Sequence, residues 1–161
     1  DPHPGNYIFH DDGAVTFLDF GCVQPLNEID LDNARRAHVA AVARDERTFR
    51  ECMKRLLQLQ GGSFEREALG YTVRCFEPLF SSPFHITRDY VSGLFTAAKE
   101  MKKEVYAKDK SFVAPPPNLV FMNRLQFGFY SVLARLDVSV DYAAVERDFL
   151  GEPCQAPAET A

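Results

Sequence analysis

Residues 1–21 read DPHPGNYIFHDDGAVTFLDFG, and they carry the strongest local structural signal in the chain. Residues 7–9 and 15–18 are β-prone runs, and the turn-forming residues HDDG at 10–13 lie between them. The pattern predicts an antiparallel β-hairpin. Because a hairpin returns the chain towards its starting point, we expect Asn6 before it and Asp19 after it to lie side by side.

From residue 30 onwards the apolar residues recur at helical spacing. A first helix is predicted from Asp30, with Asp30 as its N-cap and Leu31 on its apolar side. A second helix is predicted after Asp45, ending at the glycine pair Gly61 and Gly62, which suits a left-handed C-terminal cap. The residues predicted to be buried on this second helix are Phe49, Cys52, Met53, Leu56 and Leu57.

The same spacing predicts further helices over residues 65–80, 87–107 and 118–136, and a short one over 141–150. An apolar stripe on the helix at 118–136 is predicted to be core; it consists of Phe121, Leu125, Phe129, Val132 and Leu136. The fold class is therefore mainly α, with one short N-terminal β-hairpin followed by about five to six helices. Residues 1–150 are predicted to form one domain, and residues 151–161, GEPCQAPAETA, a flexible tail.

Composition excludes some classes of function. A net charge of −5 argues against a nucleic-acid partner, because binding to phosphate backbones requires a basic surface. No apolar run approaches the roughly 20 residues that span a bilayer. The four cysteines are widely separated and form no C-x-x-C pattern, so zinc or a disulfide framework is disfavoured. We therefore expect a cytoplasmic protein, with peripheral membrane attachment as an open option.

Three side chains of the first segment have the spacing that phosphoryl transfer from ATP requires. Asp1 and Asn6 follow a D-x4-N pattern, and Asp19-Phe20-Gly21 follows the predicted hairpin, as in the catalytic loop and D-F-G motif of protein kinases. In that pattern the first Asp orients the acceptor, while the Asn and the second Asp hold Mg²⁺. The structural alternative is that Asp1 is a simple chain terminus, Asn6 caps a turn and Asp19 ends a strand.

DPHPGN followed by FLDFG closely resembles the UbiB-like, AarF-domain family of atypical kinases, whose catalytic loop reads H-x-D-P-H-P-G-N. The resemblance implies that Asp1 orients the acceptor, that Asn6 and Asp19 bind the metal, and that Phe20 and Gly21 complete the cofactor-binding motif. His3 stands where conventional kinases have a loop Lys. It is a second catalytic candidate, and two roles are open for it: contact with a phosphate, or ordering of the turn framed by prolines.

The resemblance also implies what the chain is part of. It corresponds to the C-terminal lobe of a kinase-like fold, whose own N-terminal lobe would be its first partner and would complete the binding of Mg²⁺ and ATP. We expect the fragment alone to be inactive and the parent protein to be a kinase or ATPase. The family implies a link to isoprenoid-quinone or lipid metabolism, with a lipid or protein acceptor at a membrane surface.

Two other functions remain open from the sequence. Small-molecule phosphotransferases of the aminoglycoside or choline kinase type share a similar loop and an acid after the hairpin. A pseudokinase scaffold would use the helical lobe to bind partners without catalysis. Asp1-Pro2 and the intact D-F-G motif favour a UbiB-like kinase over the small-molecule phosphotransferases. The presence of all three polar site residues speaks against the pseudokinase scaffold.

Overall fold

A computed structural model describes residues 3–19, 25–108 and 117–150 of the chain. A 3₁₀ turn, Pro4–Asn6, leads into a hairpin of strands β1 (Tyr7–Phe9) and β2 (Val15–Phe17). Two further short strands are β3 (Phe84–His85) and β4 (Ser139–Val140). The helices are α1 (Glu28–Val42), α2 (Glu46–Leu56), α3 (Gly62–Cys75), α4 (Glu77–Phe80), α5 (Arg88–Lys108), α6 (Pro117–Leu136) and α7 (Tyr142–Leu150).

The mainly helical fold and the N-terminal hairpin are confirmed. The described part of the chain has seven helices rather than five or six, because the helix predicted over residues 65–80 is interrupted at Phe76. Strands β3 and β4 were not predicted, since two residues each are too short to give a sequence pattern. None of the helices in the described ranges has the length and apolarity needed to cross a membrane.

The first two helices show how local chemistry sets element ends. The N-cap of α1 is Asn27, not Asp30, because the Asn27 side chain accepts a hydrogen bond from the Asp30 N–H at 2.8 Å. Helix α2 begins after Asp45 as predicted, but it ends at Leu56, well before Gly61. Its left-handed C-terminal residue is Gln58 (φ 53°), and the Leu59 N–H donates to the Lys54 carbonyl at 3.0 Å.

The main core packs around Phe49 of α2. This side chain is fully buried, and its ring centroid lies 4.9 Å from that of Phe76 and 5.1 Å from that of Phe80. The buried stripe predicted for α2 is confirmed at Phe49, Cys52, Met53 and Leu56, whereas Leu57, the C-cap residue, is only partly buried. Helix α1 faces this core with small side chains, Ala37, Ala40 and Ala41, while the predicted apolar residue Leu31 is 48% exposed.

Helix α7 and the α4–β3 connection are joined by one buried hydroxyl. The Ser82 hydroxyl donates to the Asp141 carboxylate at 2.6 Å and accepts the Ala143 N–H at 3.0 Å. Asp141 also accepts the Ala144 N–H at 3.0 Å, so it caps α7. Because Ser82 and Asp141 are 59 residues apart in sequence, this contact ties the end of the fold to its middle.

The apolar stripe predicted to be core on α6 is half exposed. Leu125, Phe129 and Leu136 are 51%, 47% and 54% exposed, so their predicted burial is wrong; Val132 is partly buried. The Phe121 side chain lies outside the described residues. Among the described residues, Leu125 and Phe129 border an open cleft, which explains their exposure.

Candidate functional site

The site begins with a turn that His3 organises. The His3 imidazole Nδ1 accepts a hydrogen bond from the Gly5 N–H at 3.1 Å, and the Asn6 N–H donates to the His3 carbonyl at 2.9 Å. Pro4, with its fixed φ and missing donor, occupies the first position of the 3₁₀ turn. Of the two roles left open for His3, the hydrogen bond supports ordering of the turn. An Nδ1 that accepts leaves the proton of a neutral ring on Nε2, so any contact with a phosphate must run through Nε2.

Gly5 favours the same contact, and it was not among the site residues predicted from the sequence. A Cβ at position 5 would lie 3.1 Å from His3 Nδ1 and 3.4 Å from His3 Cε1, closer than ordinary side-chain packing. Glycine therefore allows the imidazole to approach the backbone. The available signal was the glycine two residues after the histidine, at the point where the turn tightens.

The hairpin that follows has a defined register. Tyr7 pairs with Phe17, Ile8 with Thr16, and Phe9 with Val15. The Tyr7 and Phe17 rings meet edge to face with centroids 5.5 Å apart, a favourable geometry for a cross-strand aromatic pair.

A three-residue turn closes the hairpin. The Gly13 N–H donates to the His10 carbonyl at 3.0 Å, the His10 N–H donates to the Ala14 carbonyl at 3.0 Å, and Gly13 is left-handed at φ 85°. Asp12 accepts the Ala14 N–H at 3.0 Å, and His10 Nε2 is 2.8 Å from Thr16 Oγ1. These hydrogen bonds fix how the two strands return the chain to Asn6.

The register brings the two predicted metal ligands close along the backbone. The Leu18 N–H donates to the Asn6 carbonyl at 2.9 Å, so Asn6 lies opposite the residue that precedes Asp19. Asn6 belongs to the 3₁₀ turn and Asp19 follows the last strand residue, so strict strand alternation governs neither side chain. Of the other predicted site residues, Asp1, Phe20 and Gly21 lie outside the described residues.

The donor set fits a magnesium ion that also takes ligands from phosphate and water. Asn6 supplies an amide oxygen and Asp19 a carboxylate, which are hard oxygen ligands of the kind that Mg²⁺ prefers. Within residues 3–19, 25–108 and 117–150, no group of three or more His, Cys, Asp or Glu could hold a metal ion. Mg²⁺ commonly binds one or two protein carboxylates together with substrate phosphates, so a two-ligand site is consistent with its chemistry.

The hairpin exposes an unusual amount of apolar surface. We name the exposed apolar side chains of its two faces together the hairpin patch: Phe9, Val15 and Phe17 share one face by strand alternation, Ile8 lies on the other, and Leu18 follows the second strand. Phe9 is 66% exposed, and both Phe17 and Leu18 are 56% exposed. A two-stranded hairpin is at best marginally stable alone, and clustered apolar exposure of this kind marks a surface that another element covers.

Comparison with known proteins bears on this segment. The family model described as ABC1 atypical kinase-like domain matches residues 1–53 of the 161-residue chain. The match covers the turn, the hairpin, α1 and the first part of α2. The comparisons with curated proteins and with solved structures give no match. The match confirms the resemblance to the atypical-kinase family that was inferred from DPHPGN and FLDFG, over residues 1–53 of the chain.

Proposed function

We propose that residues 1–21 form the metal-binding and acceptor-orienting half of an ATP-dependent phosphoryl-transfer site in a UbiB-like atypical kinase or ATPase. The observation that carries the proposal is the 2.9 Å hydrogen bond from Leu18 to the Asn6 carbonyl, within a segment that matches the atypical-kinase family. That hydrogen bond joins Asn6 to Leu18, the residue before Asp19, and this supports the proximity of Asn6 and Asp19 that the kinase pattern predicts.

The proposed roles follow from what phosphoryl transfer needs. Catalysis in this class is mostly positioning and electrostatic stabilisation, with little covalent work for the protein. Asn6 and Asp19 would hold Mg²⁺, which when bound neutralises charge on the phosphates of ATP. Asp1 orients the acceptor, and Phe20 and Gly21 complete the cofactor-binding motif. His3 holds the turn that carries Asn6 through its hydrogen bond to Gly5.

The other half of the site is assigned to an N-terminal kinase lobe of the parent protein. The hairpin patch supports this proposal, because apolar side chains adjoin the proposed metal site and remain about half exposed. A second lobe packed there would exclude water from the phosphates and so strengthen the electrostatic contribution of each ligand. We expect residues 1–161 on their own, without such a lobe packed against them, to have no measurable phosphotransfer.

The wider role rests on the family resemblance alone. It suggests a lipid or protein acceptor at a membrane surface and a link to isoprenoid-quinone or lipid metabolism. The acidic net charge of −5 supports an acceptor that is not a nucleic acid.

The test compares two carboxylates of the same hairpin in the parent protein. Asp19→Asn removes the proposed metal-binding carboxylate while keeping its size, and we expect Mg²⁺-dependent ATP turnover to fall by at least about 100-fold. Asp11→Asn makes the same change at the turn, roughly 15 Å away along the strands, and we expect turnover within about twofold of the wild type. Magnesium dependence of ATP binding is measured in parallel.

Three outcomes contradict the proposal. Equal losses in the two variants would show that general acidity of the hairpin matters instead of one ligand. Unchanged cellular function in Asp19→Asn would favour the scaffold. Saturable phosphorylation of aminoglycosides or choline by the parent would favour the small-molecule phosphotransferases.

A further inference from the structure

A cleft of about 560 Å³ lies between α6 and the helices that form the main core. Its volume falls within the roughly 300–1,000 Å³ typical of small-molecule sites in proteins. Its walls are mostly hydrocarbon, and they include Leu125 and Phe129 of α6, which remain about half exposed. These two side chains belong to the stripe that helical spacing predicts to be core. This face of α6 therefore has the apolar composition of a buried surface, although the described residues leave it open to the cleft.

All three methionines of the chain line this cleft. Met53 comes from α2, Met101 from α5 and Met122 from α6, so they reach it from three separate helices. Methionine is unbranched and polarisable, and it is common on surfaces that adapt their shape to an apolar ligand. Their convergence on one cleft indicates a wall that can adjust to an occupant.

One polar group on the wall has no direct hydrogen-bond partner among the described residues. The Tyr71 hydroxyl is buried and makes no hydrogen bond there, although the Cys75 thiol and the Asn123 side chain lie near it. By contrast, the Tyr130 hydroxyl and the Gln126 amide both donate to the Cys75 carbonyl, at 2.8 and 3.1 Å. The Thr72 hydroxyl is also engaged and donates to the Ala68 carbonyl at 2.7 Å. A buried hydroxyl without a partner costs about 1–3 kcal/mol, which a ligand oxygen would recover.

The charges around the cleft select against ions. Its carboxylates are those of Asp30 and Glu146, its one imidazole is that of His38, and no Lys or Arg of the described residues lines it. Glu146 is paired with His38 at 3.0 Å, and Asp30 accepts from the Asn27 amide at 2.8 Å. An anion would meet two carboxylates and no free cation, while a buried cation would find both carboxylates already hydrogen-bonded.

We propose that this cleft binds a neutral, largely hydrocarbon molecule with one oxygen that accepts a hydrogen bond from the Tyr71 hydroxyl. Burial raises the pKa of Tyr71, so the phenol keeps its proton for donation at physiological pH. The ligand's hydrocarbon part covers the exposed faces of Leu125 and Phe129. This site is distinct from the proposed phosphoryl-transfer site, since none of its lining residues within the described ranges belongs to residues 3–19.

The test uses decanol, decanoate and decylamine, which share a chain and differ in charge. Binding to the full chain is followed by the methyl NMR signals of Met53, Met101 and Met122, which report on this cleft alone because the chain has no other methionine. We expect decanol to shift all three signals saturably, and decanoate and decylamine to bind at least about tenfold more weakly.

Two variants test the Tyr71 hydroxyl. Tyr71→Phe removes an unpartnered hydroxyl, so the fold should keep its stability while decanol binding weakens about fivefold. Tyr90→Phe is the matched control, because the Tyr90 hydroxyl donates to the Arg74 carbonyl at 2.7 Å away from the cleft. Its decanol affinity should stay within about twofold of the wild type.

The proposal is overturned if decanol leaves the three methyl signals unchanged, if decanoate or decylamine binds as tightly as decanol, or if Tyr71→Phe binds decanol as well as Tyr90→Phe does. Sedimentation in the absence of ligand tests another occupant. A dimer that persists with decanol would show that a second copy of the chain covers α6, and it would also overturn the proposal.

Discussion

Replacement of Phe49 by alanine should remove the largest single contribution to the helical core. Phe49 is fully buried, and its ring contacts the rings of Phe76 and Phe80 at centroid distances of 4.9 and 5.1 Å. Losing the buried ring costs about 2–3 kcal/mol in transfer free energy, and each lost aromatic contact adds about 0.5–1.5 kcal/mol. We therefore expect a loss of about 4 kcal/mol, within the range of about 3–5 measured for buried Phe→Ala changes.

The assay is equilibrium unfolding of the full chain in urea. With a slope of about 2 kcal/mol/M, the Phe49→Ala midpoint should fall by about 2 M. Phe149→Ala is the matched control, because the Phe149 side chain is 84% exposed, and its free energy of unfolding should change by less than about 0.5 kcal/mol. A Phe49→Ala loss below about 1.5 kcal/mol, or a similar loss for Phe149→Ala, would refute the packing described for α2.

Two further predictions concern titration and thiol reactivity. Hydrogen bonds from the Ser82 hydroxyl and then from the Ala144 N–H lower the pKa of Asp141 below its usual 3.8. The ionised carboxylate therefore stabilises the fold above pH 3.8, and this stabilisation is lost as the pH falls through the lowered pKa. Ser82→Ala should therefore raise the pKa of Asp141 and move acid unfolding to higher pH; an unchanged carboxyl NMR titration would contradict this. Burial raises the pKa of Cys75 to about 11, so at pH 8 its alkylation, mapped by mass spectrometry, should be at least about 100-fold slower in the native chain than in urea. Comparable native and unfolded rates would show that Cys75 is accessible.

Local sequence patterns were sufficient where one segment contains all the information. The hairpin needed only two β-prone runs and a glycine able to adopt φ 85°, and its register follows from the turn. Helix α2 has a cap, Asp45, whose side chain accepts the Thr48 N–H at 3.0 Å, and four apolar residues on one face. Both elements have the predicted type and starting point, although α2 ends earlier than predicted, because neither depends on distant residues for its type.

Hydrophobicity alone does not determine where α1 starts or which of its faces packs against the core. Asn27 and Asp30 can both cap a helix, and they act together: Asn27 accepts from the Asp30 N–H, while the Asn27 amide donates to the Asp30 carboxylate, each at 2.8 Å. The buried face uses Ala37, Ala40 and Ala41 because small side chains allow α1 to approach α2 closely. Leu31 is more hydrophobic than these alanines but lies on the other side of the helix.

The sequence pattern does not predict where the helices end or which elements pack against each other. Helices α1 and α2 end at left-handed Arg44 and Gln58, neither of which is a glycine, because hydrogen bonds to preceding carbonyls hold both turns. The periodicity of α6 correctly identifies an apolar face but says nothing about what covers it. The same limit applies to the candidate site. The sequence predicts that Asn6 and Asp19 approach each other, whereas the contact between His3 and Gly5 depends on the conformation of the turn, which the sequence pattern does not specify.

The proposed binding of one divalent cation by Asn6 and Asp19 together is tested most directly with Mn²⁺ as a paramagnetic substitute for Mg²⁺. Small amounts of Mn²⁺ are added to the isotopically labelled chain, and NMR line broadening is compared along the hairpin. We expect the NMR signals of the Asn6 side-chain amide and the Asp19 backbone amide to broaden first, and we expect Asp19→Asn to abolish this broadening. Broadening that begins at Asp11 and Asp12 in the turn, or that spreads evenly over the acidic residues of the chain, would contradict it.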